Sequence, residues 1–447
     1  MVLSNYKIYD GLGLAELVRK KEVKPEELVE AAIKEIEAKN PTLNAVIHKM
    51  YDQAMEQSKQ LPEGPFKGVP MLIKDISQEI KGEPMTSGSK ALQNNRASED
   101  SNYVKKLRQA GVTFLGITNV PEFALMGVTD PTHYGPTRNP WNTEYTPGGS
   151  SGGSASAVAS GMVPIAGAND GGGSIRIPAA YTGLFGLKPT RGRVPVGPFV
   201  GRNWQGASVD HILSRSVRDS AAMLDVLKTY EKAAAFHTMP YESSYLSIGE
   251  QDNKKRYRIA FSLQSPIGEV EEECKTAVLN TVKWLEEMGH QVEEKEPPVN
   301  GEKLAKGYLM LYFGEVAASL EQLKPVLGRK PGLKDVEPTT WLLGLLGSKI
   351  SAKDFVLHLQ EWDVAAYEME KFHETYDFFI TPTTAFLPSK IGEQDISKVE
   401  RMLISLTKTL KLGSVVKRTG IVDQLAETSL QRTPFTQLAN FTGQPAM

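Results

Sequence analysis

The segment from residue 146 to residue 176 constrains this sequence more than any other, because it holds nine glycines, six serines and only two charged residues, Asp170 and Arg176. This composition alone is typical of a flexible linker. Two patterns favour a folded structure: Ser154–Ala159 is a small-residue run that predicts a helix, and Met162–Ala166 is an apolar run of strand length. Glycines between regular elements indicate close approach of backbone segments. The segment is therefore predicted to be packed.

Apolar runs elsewhere predict strands that alternate with helices. Gly68–Asp75 reads as a buried strand ending in Lys74 and Asp75, and a helix over Ser101–Ala110 leads into a strand at Val112–Ile117. A strand–helix–strand unit is predicted from Arg258–Leu263 through Glu269–Met288 to Gln291–Glu293. This alternation predicts an α/β fold with a mixed or mostly parallel sheet.

The first helix is predicted to begin near Pro25, because proline is tolerated in a first turn, and to stop at Asn40-Pro41. No clear linker divides the sequence, and no period of 20–50 residues recurs. The 447 residues are accordingly expected to form one domain.

The composition is that of an ordinary globular protein, with 40% hydrophobic and 23% charged residues. A net charge of -2 gives no reason to expect nucleic acid or an acidic membrane as a partner, and the single cysteine excludes a disulfide within the chain. Neither a secretory signal pattern nor an apolar run of roughly 18 residues is found. A cytoplasmic protein with a small-molecule substrate is expected.

The triple glycine before Ser174 is the strongest local signal for chemistry. Consecutive glycines let several backbone N–H groups turn toward one point, and an amide-cleaving enzyme needs such donors for the oxyanion of a tetrahedral intermediate. Ser174 follows the predicted strand at Met162–Ala166 through a short loop, and crevices open at the carboxyl ends of strands in α/β proteins. Ser174 is therefore a candidate nucleophile.

A serine hydroxyl needs a base to remove its proton. None of the seven histidines lies in a recognisable motif, and His133, in a turn-rich loop, is kept as the reserve candidate. Lys74 follows the apolar run Met71-Leu-Ile73, and a buried lysine held neutral by desolvation can act as a base. No Gly-Lys-Ser/Thr phosphate loop, His-Glu-x-x-His pair or cysteine pair indicates a nucleotide or metal site.

Together these segments resemble the amidase signature family. The resemblance extends from about residue 10 to the end of the sequence, and the matching motifs occur in family order: Gly68–Asp75, Thr118–Phe123, Pro147–Ala155, Asp170–Arg176, Gly183–Thr190, Ser214–Asp219, Thr381–Thr383 and Gly443–Ala446.

The resemblance implies an α/β/α sandwich around a central, twisted, mixed sheet, and a Ser-cisSer-Lys triad. Ser174 would be the nucleophile, Ser150 the bridging serine and Lys74 the base. The Gly149–Ser150 peptide bond would be cis. The other implied site residues are Gly171, Gly172, Gly173 and Ser174, whose N–H groups would form the oxyanion hole, and Ser151, Asp170 and Arg176, which would support the loop.

The implied function is hydrolysis of carboxamide bonds through an acyl-enzyme on Ser174, without a metal or an organic cofactor. The run Asn203–Ala207 looks more like stand-alone amidases, including cyclic nylon-oligomer hydrolases, than fatty-acid-amide hydrolases. Two alternatives stay open: the glutaminase A subunit of a tRNA-dependent amidotransferase, and an inactive binding or scaffold form. A homodimer is also left open, and the sequence specifies no particular amide.

Two departures from the family pattern are present. Gly171 stands where the family more often has a larger residue, which would loosen the oxyanion hole or widen the pocket. The sequence ends at Met447, shortly after the last motif, where family members usually continue with further strands and a helix. An exposed sheet edge and reduced stability are expected if those strands are missing.

Overall fold

The computed structural model describes residues 6–249, 251, 254–394 and 430–447. Its contacts divide the chain into two compact units, each made of more than one stretch of sequence. The first unit comprises Met1–Gln251, Pro388–Ile391 and Gln444–Met447, and the second comprises Asp252–Leu387 and Gly392–Gly443. A single amidase-signature domain would require these two units to fold together, and this expectation stays a prediction. The expectation about a missing C-terminal segment also stays a prediction.

The first unit contains a six-stranded mixed sheet with the order β1-β3-β2-β4-β6-β5. Its strands are β1 (Val46–Lys49), β2 (Pro70–Lys74), β3 (Thr113–Thr118), β4 (Ile165–Asp170), β5 (Phe185–Gly186) and β6 (Val209–Ser214). Strand β2 pairs in parallel with β3 and β4, whereas β1, β5 and β6 are antiparallel to their neighbours. Because β2, β3 and β4 run in one direction, their carboxyl ends, which carry Lys74, Thr118 and Asp170, lie at one edge of the sheet.

The described helices of the first unit are α1 (Gly11–Arg19), α2 (Pro25–Leu43), α3 (Tyr51–Ser58), α4 (Asn102–Gln109), α5 (Gly152–Ala159), α6 (Arg176–Thr182), α7 (Val217–Leu227) and α8 (Tyr245–Gly249). Helices α2, α3, α5, α6 and α7 contact strands of the sheet, and α1, α4 and α8 contact α7. The helices predicted at Ser101–Ala110 and Ser154–Ala159 are confirmed, and the strand predicted at Met162–Ala166 is found later, as β4.

Helix α2 passes through the predicted stop at Asn40-Pro41 and ends at Leu43, so that prediction was wrong. A proline lacks only its own N–H, and near a helix end few further hydrogen bonds are lost. The actual stop is Asn44, which adopts the left-handed conformation with φ 48°. The Asn40 carboxamide oxygen accepts the N–H groups of Ala45 and Val46 at 2.8 Å each, which fixes the chain as it leaves the helix.

The glycine- and serine-rich segment is packed as predicted. Every residue of β4 and nearly every residue of α5 is buried. A Cβ atom on Gly153 would lie 2.4 Å from the backbone nitrogen of Asn119, so only glycine permits this approach of α5 to the chain after β3. The alternative of a flexible linker is thereby excluded.

The second unit contains a parallel three-stranded sheet with the order β8-β7-β9. Its strands are β7 (Arg258–Phe261), β8 (Gln291–Glu294) and β9 (Phe378–Ile380), and its described helices are α9 (Glu272–Glu287), α10 (Gly301–Leu327), α11 (Pro338–Gly347), α12 (Ala352–His373) and α13 (Gln437–Thr442). The strand–helix–strand unit predicted from residue 258 to residue 293 is confirmed as β7, α9 and β8. With the mixed sheet of the first unit, the α/β class is confirmed. None of the described helices combines the length and the apolar character that a membrane span requires.

Candidate active site

Lys74 is the last residue of β2, and its side chain is completely buried. The three residues before it, Met71 to Ile73, are also fully buried, so the strand carries the lysine into the interior. The Lys74 Nζ donates to the Ser150 Oγ at 2.8 Å and to the Asn169 backbone oxygen at 3.2 Å. The structure therefore brings together the predicted base and the predicted bridging serine, which are 76 residues apart in sequence.

Burial lowers the pKa of Lys74 to about 7, because the interior disfavours the charged ammonium form. The carboxylates of Asp210 and Asp170 act in the opposite direction and favour the ammonium form. A lysine with this pKa is substantially neutral at pH 7 and can accept a proton, unlike a surface lysine.

Ser150 is buried and follows a cis peptide bond, Gly149–Ser150, as predicted. A Cβ atom on Gly149 would lie 2.6 Å from the Met126 backbone oxygen and 2.7 Å from the Val128 backbone nitrogen. Glycine is thus required before Ser150, because the neighbouring backbone leaves no room for a side chain.

Ser174 lies in the loop between β4 and α6 and is half-buried. Its backbone oxygen accepts the N–H of Ser151 at 3.3 Å, which joins the loop to the residue after Ser150. Within the described ranges the Ser174 hydroxyl forms no hydrogen bond, so the bond expected between the Ser150 and Ser174 hydroxyls is not formed here. Hydrogen bonds between catalytic groups are often long without substrate and shorten in its complex.

The glycine loop differs in one respect from the predicted oxyanion hole. The Gly173 N–H donates to Asp170 Oδ1 at 2.8 Å, and this hydrogen bond fixes the loop. The assignment of Gly173 to the oxyanion hole stays a prediction. The N–H groups of Gly171 and Ser174 donate to no acceptor in the part of the chain that the structure describes. The assignment of Gly171, Gly172 and Ser174 stays a prediction.

Asp170 and Arg176 form a buried bidentate ion pair, with Nε–Oδ2 and Nη2–Oδ1 distances of 2.9 Å each. The same carboxylate accepts the Ile175 N–H at 3.2 Å. The pair predicted from the sequence is thus present, and its hydrogen bonds hold the loop on both sides of Ser174. Ser151, predicted to be supporting, places its Oγ 3.4 Å from both the backbone nitrogen and the backbone oxygen of Asn169.

Gly171 leaves room beside the loop. A Cβ atom there would meet Ser208 Cβ at 3.5 Å and Oγ at 3.6 Å, which are ordinary van der Waals distances. A small side chain would therefore fit at position 171. Because Gly171 has no side chain, the free space beside the loop is wider than it would be with a larger residue.

The sequence did not identify Asp210 and Gln78 as site residues. Gln78 Oε1 accepts the Lys74 backbone N–H at 3.0 Å, and Gln78 Nε2 donates to Asp210 Oδ1 at 3.1 Å. The sequence feature that could have identified Asp210 is its position inside the mostly apolar run Val209–Leu213. This run lies in the fully buried strand β6. A charged residue in such a strand is rarely placed there without a partner.

His133, the reserve base, packs its ring against Tyr134 with a centroid distance of 4.2 Å. Among the residues whose placement is described, no histidine is hydrogen-bonded to Ser150 or Ser174. The same residues contain no group of three or more His, Cys, Asp or Glu side chains that could hold a metal ion. Lys74 is thus the basic side chain that is hydrogen-bonded to Ser150 among the described residues.

Comparison with known proteins places this arrangement in a family. The family model described as Amidase matches residues 27–445. A lipoamidase from Enterococcus faecalis is 37% identical over 447 residues, which is 99% of this chain and 59% of the lipoamidase. A 6-aminohexanoate-cyclic-dimer hydrolase from Pseudomonas sp. (strain NK87) is 35% identical over 446 residues, covering 98% of this chain and 87% of the hydrolase.

A solved structure of 6-aminohexanoate cyclic dimer hydrolase complexed with substrate has a TM-score of 0.87 and 33% sequence identity, and the match covers 98% of this chain and 89% of that one. The chain therefore belongs to the amidase family, whose members are hydrolases that act on carbon–nitrogen bonds other than peptide bonds.

Proposed function

We propose that this amidase cleaves amides through an acyl-enzyme on Ser174, with Lys74 as the base and Ser150 as the proton relay between them. The observation that carries the proposal is the 2.8 Å contact between the fully buried Lys74 Nζ and the Ser150 Oγ. A solvated lysine would be protonated at neutral pH and could not take a proton from a serine. Burial removes that obstacle, because it favours the neutral amine.

In this mechanism Lys74 takes the proton of Ser150, Ser150 takes that of Ser174, and Ser174 Oγ forms a bond to the amide carbon. The oxyanion is stabilised by the N–H groups of Gly171 and Ser174, which donate to no acceptor among the described residues. As the C–N bond breaks, Ser150 donates a proton to the departing nitrogen. Water then attacks the acyl-enzyme along the same path and releases the carboxylic acid, which regenerates Ser174.

We propose an aliphatic amide as the substrate class. The 6-aminohexanoate cyclic dimer, which the relatives' name gives as their substrate, joins an aliphatic acyl chain to an aliphatic amine. The lipoamidase is named for an amide of an aliphatic acid as well. Open space beside Gly171 agrees with a substrate that fills more of the site than a small primary amide does.

Turnover of defined amides by the purified protein tests this function. The panel is 6-aminohexanoate cyclic dimer, lipoamide, an aryl anilide and glutamine, with amine or ammonia release as the readout. We expect hydrolysis of at least one aliphatic amide, its loss in Ser174→Ala, and its retention in the control Ser160→Ala. Among the described residues, the Ser160 hydroxyl donates to the Ala157 backbone oxygen alone.

Two other results would replace the proposal. Release of ammonia from glutamine only after partner subunits are added would favour the glutaminase subunit. No turnover of any amide, with the fold intact by circular dichroism, would favour the binding or scaffold form. Full activity of Ser174→Ala would contradict the assigned nucleophile.

A further inference from the structure

A second carboxylate, that of Asp210, lies on β6, which is separated from the Lys74 strand β2 by β4. Strand β6 pairs antiparallel with β4, and Asp210 is directly opposite Asn169, whose backbone oxygen accepts the Lys74 Nζ. Of the charges that act on this amine, Asp210 has the largest effect and Asp170 the next. The lysine that contacts Ser150 therefore has two carboxylates close to it.

The two carboxylates differ in what else they bind. Both oxygens of Asp170 are hydrogen-bonded to Arg176, so its charge is already neutralised by a guanidinium. Asp210, 5% exposed, forms no ion pair within the described residues. Its Oδ1 accepts the Ser77 hydroxyl at 2.7 Å and Gln78 Nε2 at 3.1 Å, which are neutral donors. Asp210 is thus the carboxylate whose charge is still available to Lys74.

The Gln78 side chain connects Lys74 to Asp210 through hydrogen bonds. Its Oε1 holds the Lys74 backbone N–H at 3.0 Å, while its Nε2 donates to Asp210 and, at 3.1 Å, to the Ala168 backbone oxygen. The side chain is fully buried, and a Cβ atom on Gly167 would lie 2.1 Å from its Oε1. The strands carrying Lys74 and Asp210 are therefore joined through one rigid amide.

Asp210 is also one of the residues that line a cavity of about 30 Å³. Burial raises the pKa of Asp210 to about 6, so the carboxylate is largely ionised above that pH. The charged or titratable groups that interact with Asp210 or line its cavity are Lys74, Glu79, Tyr103, Arg191, Arg202 and Glu231. Glu231 is bound by the N–H groups of Val196 and Gly197, and Arg191 Nε donates to the Gly206 backbone oxygen.

We infer that Asp210 is a positioning residue that supplies the counter-charge for Lys74 while the amine carries the proton taken from Ser150. This inference rests on the proposed function, in which Lys74 is the base. Proton uptake creates a cation in a water-excluded site, which is unfavourable without an opposite charge nearby. Asp210 supplies that charge from β6, on the far side of β4, and among the described residues it is not hydrogen-bonded to Ser150 or Ser174.

The test is the pH profile of kcat and kcat/KM for Asp210→Asn. Asparagine keeps the oxygen that Ser77 and Gln78 bind but loses the charge. Because the ammonium form loses its stabilising carboxylate, the pKa of Lys74 falls, and the acid limb of kcat/KM should move to lower pH by about one unit. The weaker base should lower kcat at the plateau by about tenfold, with KM unchanged.

Ser77→Ala provides a milder variant of the same contact. Without this hydroxyl the ionised form of Asp210 is less stable, so the acid limb should move in the same direction by a smaller amount. Asp219→Asn is the matched control: Asp219 is a buried carboxylate in α7 that accepts the N–H groups of Gly11 and Leu12. Its replacement should leave the acid limb where it is in the unmodified protein.

If Asp210→Asn folds and the acid limb of its kcat/KM profile does not move, the inference is overturned. If that variant does not fold, an unmoved limb in Ser77→Ala overturns it instead. Lys74→Met separates this failure from failure of the proposed function. Full activity of Lys74→Met would refute the base assignment itself, whereas an inactive Lys74→Met with an unchanged Asp210→Asn profile would refute only the role of Asp210.

Discussion

At the scale of the residue, the account depends on the proton affinity of Lys74. Burial lowers its pKa to about 7, and only the neutral amine can accept the proton of Ser150. Above this pKa the base is available, and below it the ammonium form predominates. We therefore predict that kcat/KM rises with pH through about 7 and then levels off. A pH–rate series with one soluble amide measures this, and a flat profile through neutrality would contradict a lysine base.

Single residues also show what the sequence could and could not predict. Ser174 was proposed from the triple glycine before it and Lys74 from the apolar run before it, whereas the role of Ser150 came from the resemblance to the amidase signature family. The Lys74–Ser150 contact itself depends on the pairing of β2 with β4, which no local pattern specifies. The hydrogen bond from the Gly173 N–H to Asp170 depends on the conformation of the glycine loop, and glycine in a sequence does not disclose which conformation it adopts. Asp210 was missed because its partners come from a distant loop.

At the scale of the element, α5 holds Ser150 in place through its first turn. The turn packs so closely that a Cβ on Gly153 would lie 2.4 Å from the Asn119 backbone nitrogen and 2.7 Å from the Ala45 backbone oxygen. Gly153→Ala should therefore lower the free energy of unfolding by about 1–3 kcal/mol or more and reduce activity.

Chemical denaturation followed by circular dichroism checks this prediction. Gly127→Ala is the control, because a Cβ there would meet nothing within 4 Å, and we expect a change of at most about 0.5 kcal/mol. Equal free energies of unfolding for Gly153→Ala and the unmodified protein would show that α5 does not pack closely against the backbone of Asn119 and Ala45.

Strands β2 and β3 were predicted from continuous apolar runs, and both are buried throughout. The end of α2 was not predicted correctly. Pro41 indicated a stop, whereas the helix continues to Leu43 and the Asn40 side chain binds the residues beyond it. The start of β4 was placed three residues too early because Met162 and Val163 are buried without being in the sheet.

At the scale of the whole molecule, each unit has its own buried core. In the second unit, Phe441 of α13 stacks on Trp362 of α12 with a centroid distance of 4.3 Å, and both side chains are buried. Phe441→Ala should therefore lower the free energy of unfolding of this unit by about 3–5 kcal/mol.

Thermal or chemical denaturation measures this effect, with Trp284→Ala as the control. Trp284 is 61% exposed, so its loss should change stability by about 0.5 kcal/mol or less. An unchanged unfolding midpoint for Phe441→Ala would contradict the packing described for α12 and α13. The two-unit division itself was not predictable, because two short segments, Pro388–Ile391 and Gln444–Met447, return to the first unit without a compositional linker.

Covalent labelling of Ser174 tests the central claim most directly. A fluorophosphonate reacts with a serine only when its hydroxyl is activated, and mass spectrometry locates the modified residue. We predict labelling at Ser174 near neutral pH, and a labelling rate at least about 100-fold lower in Lys74→Met and Ser150→Ala, since each removes one step of proton transfer. Labelling of a different serine, or an unchanged rate in Lys74→Met, would contradict the account.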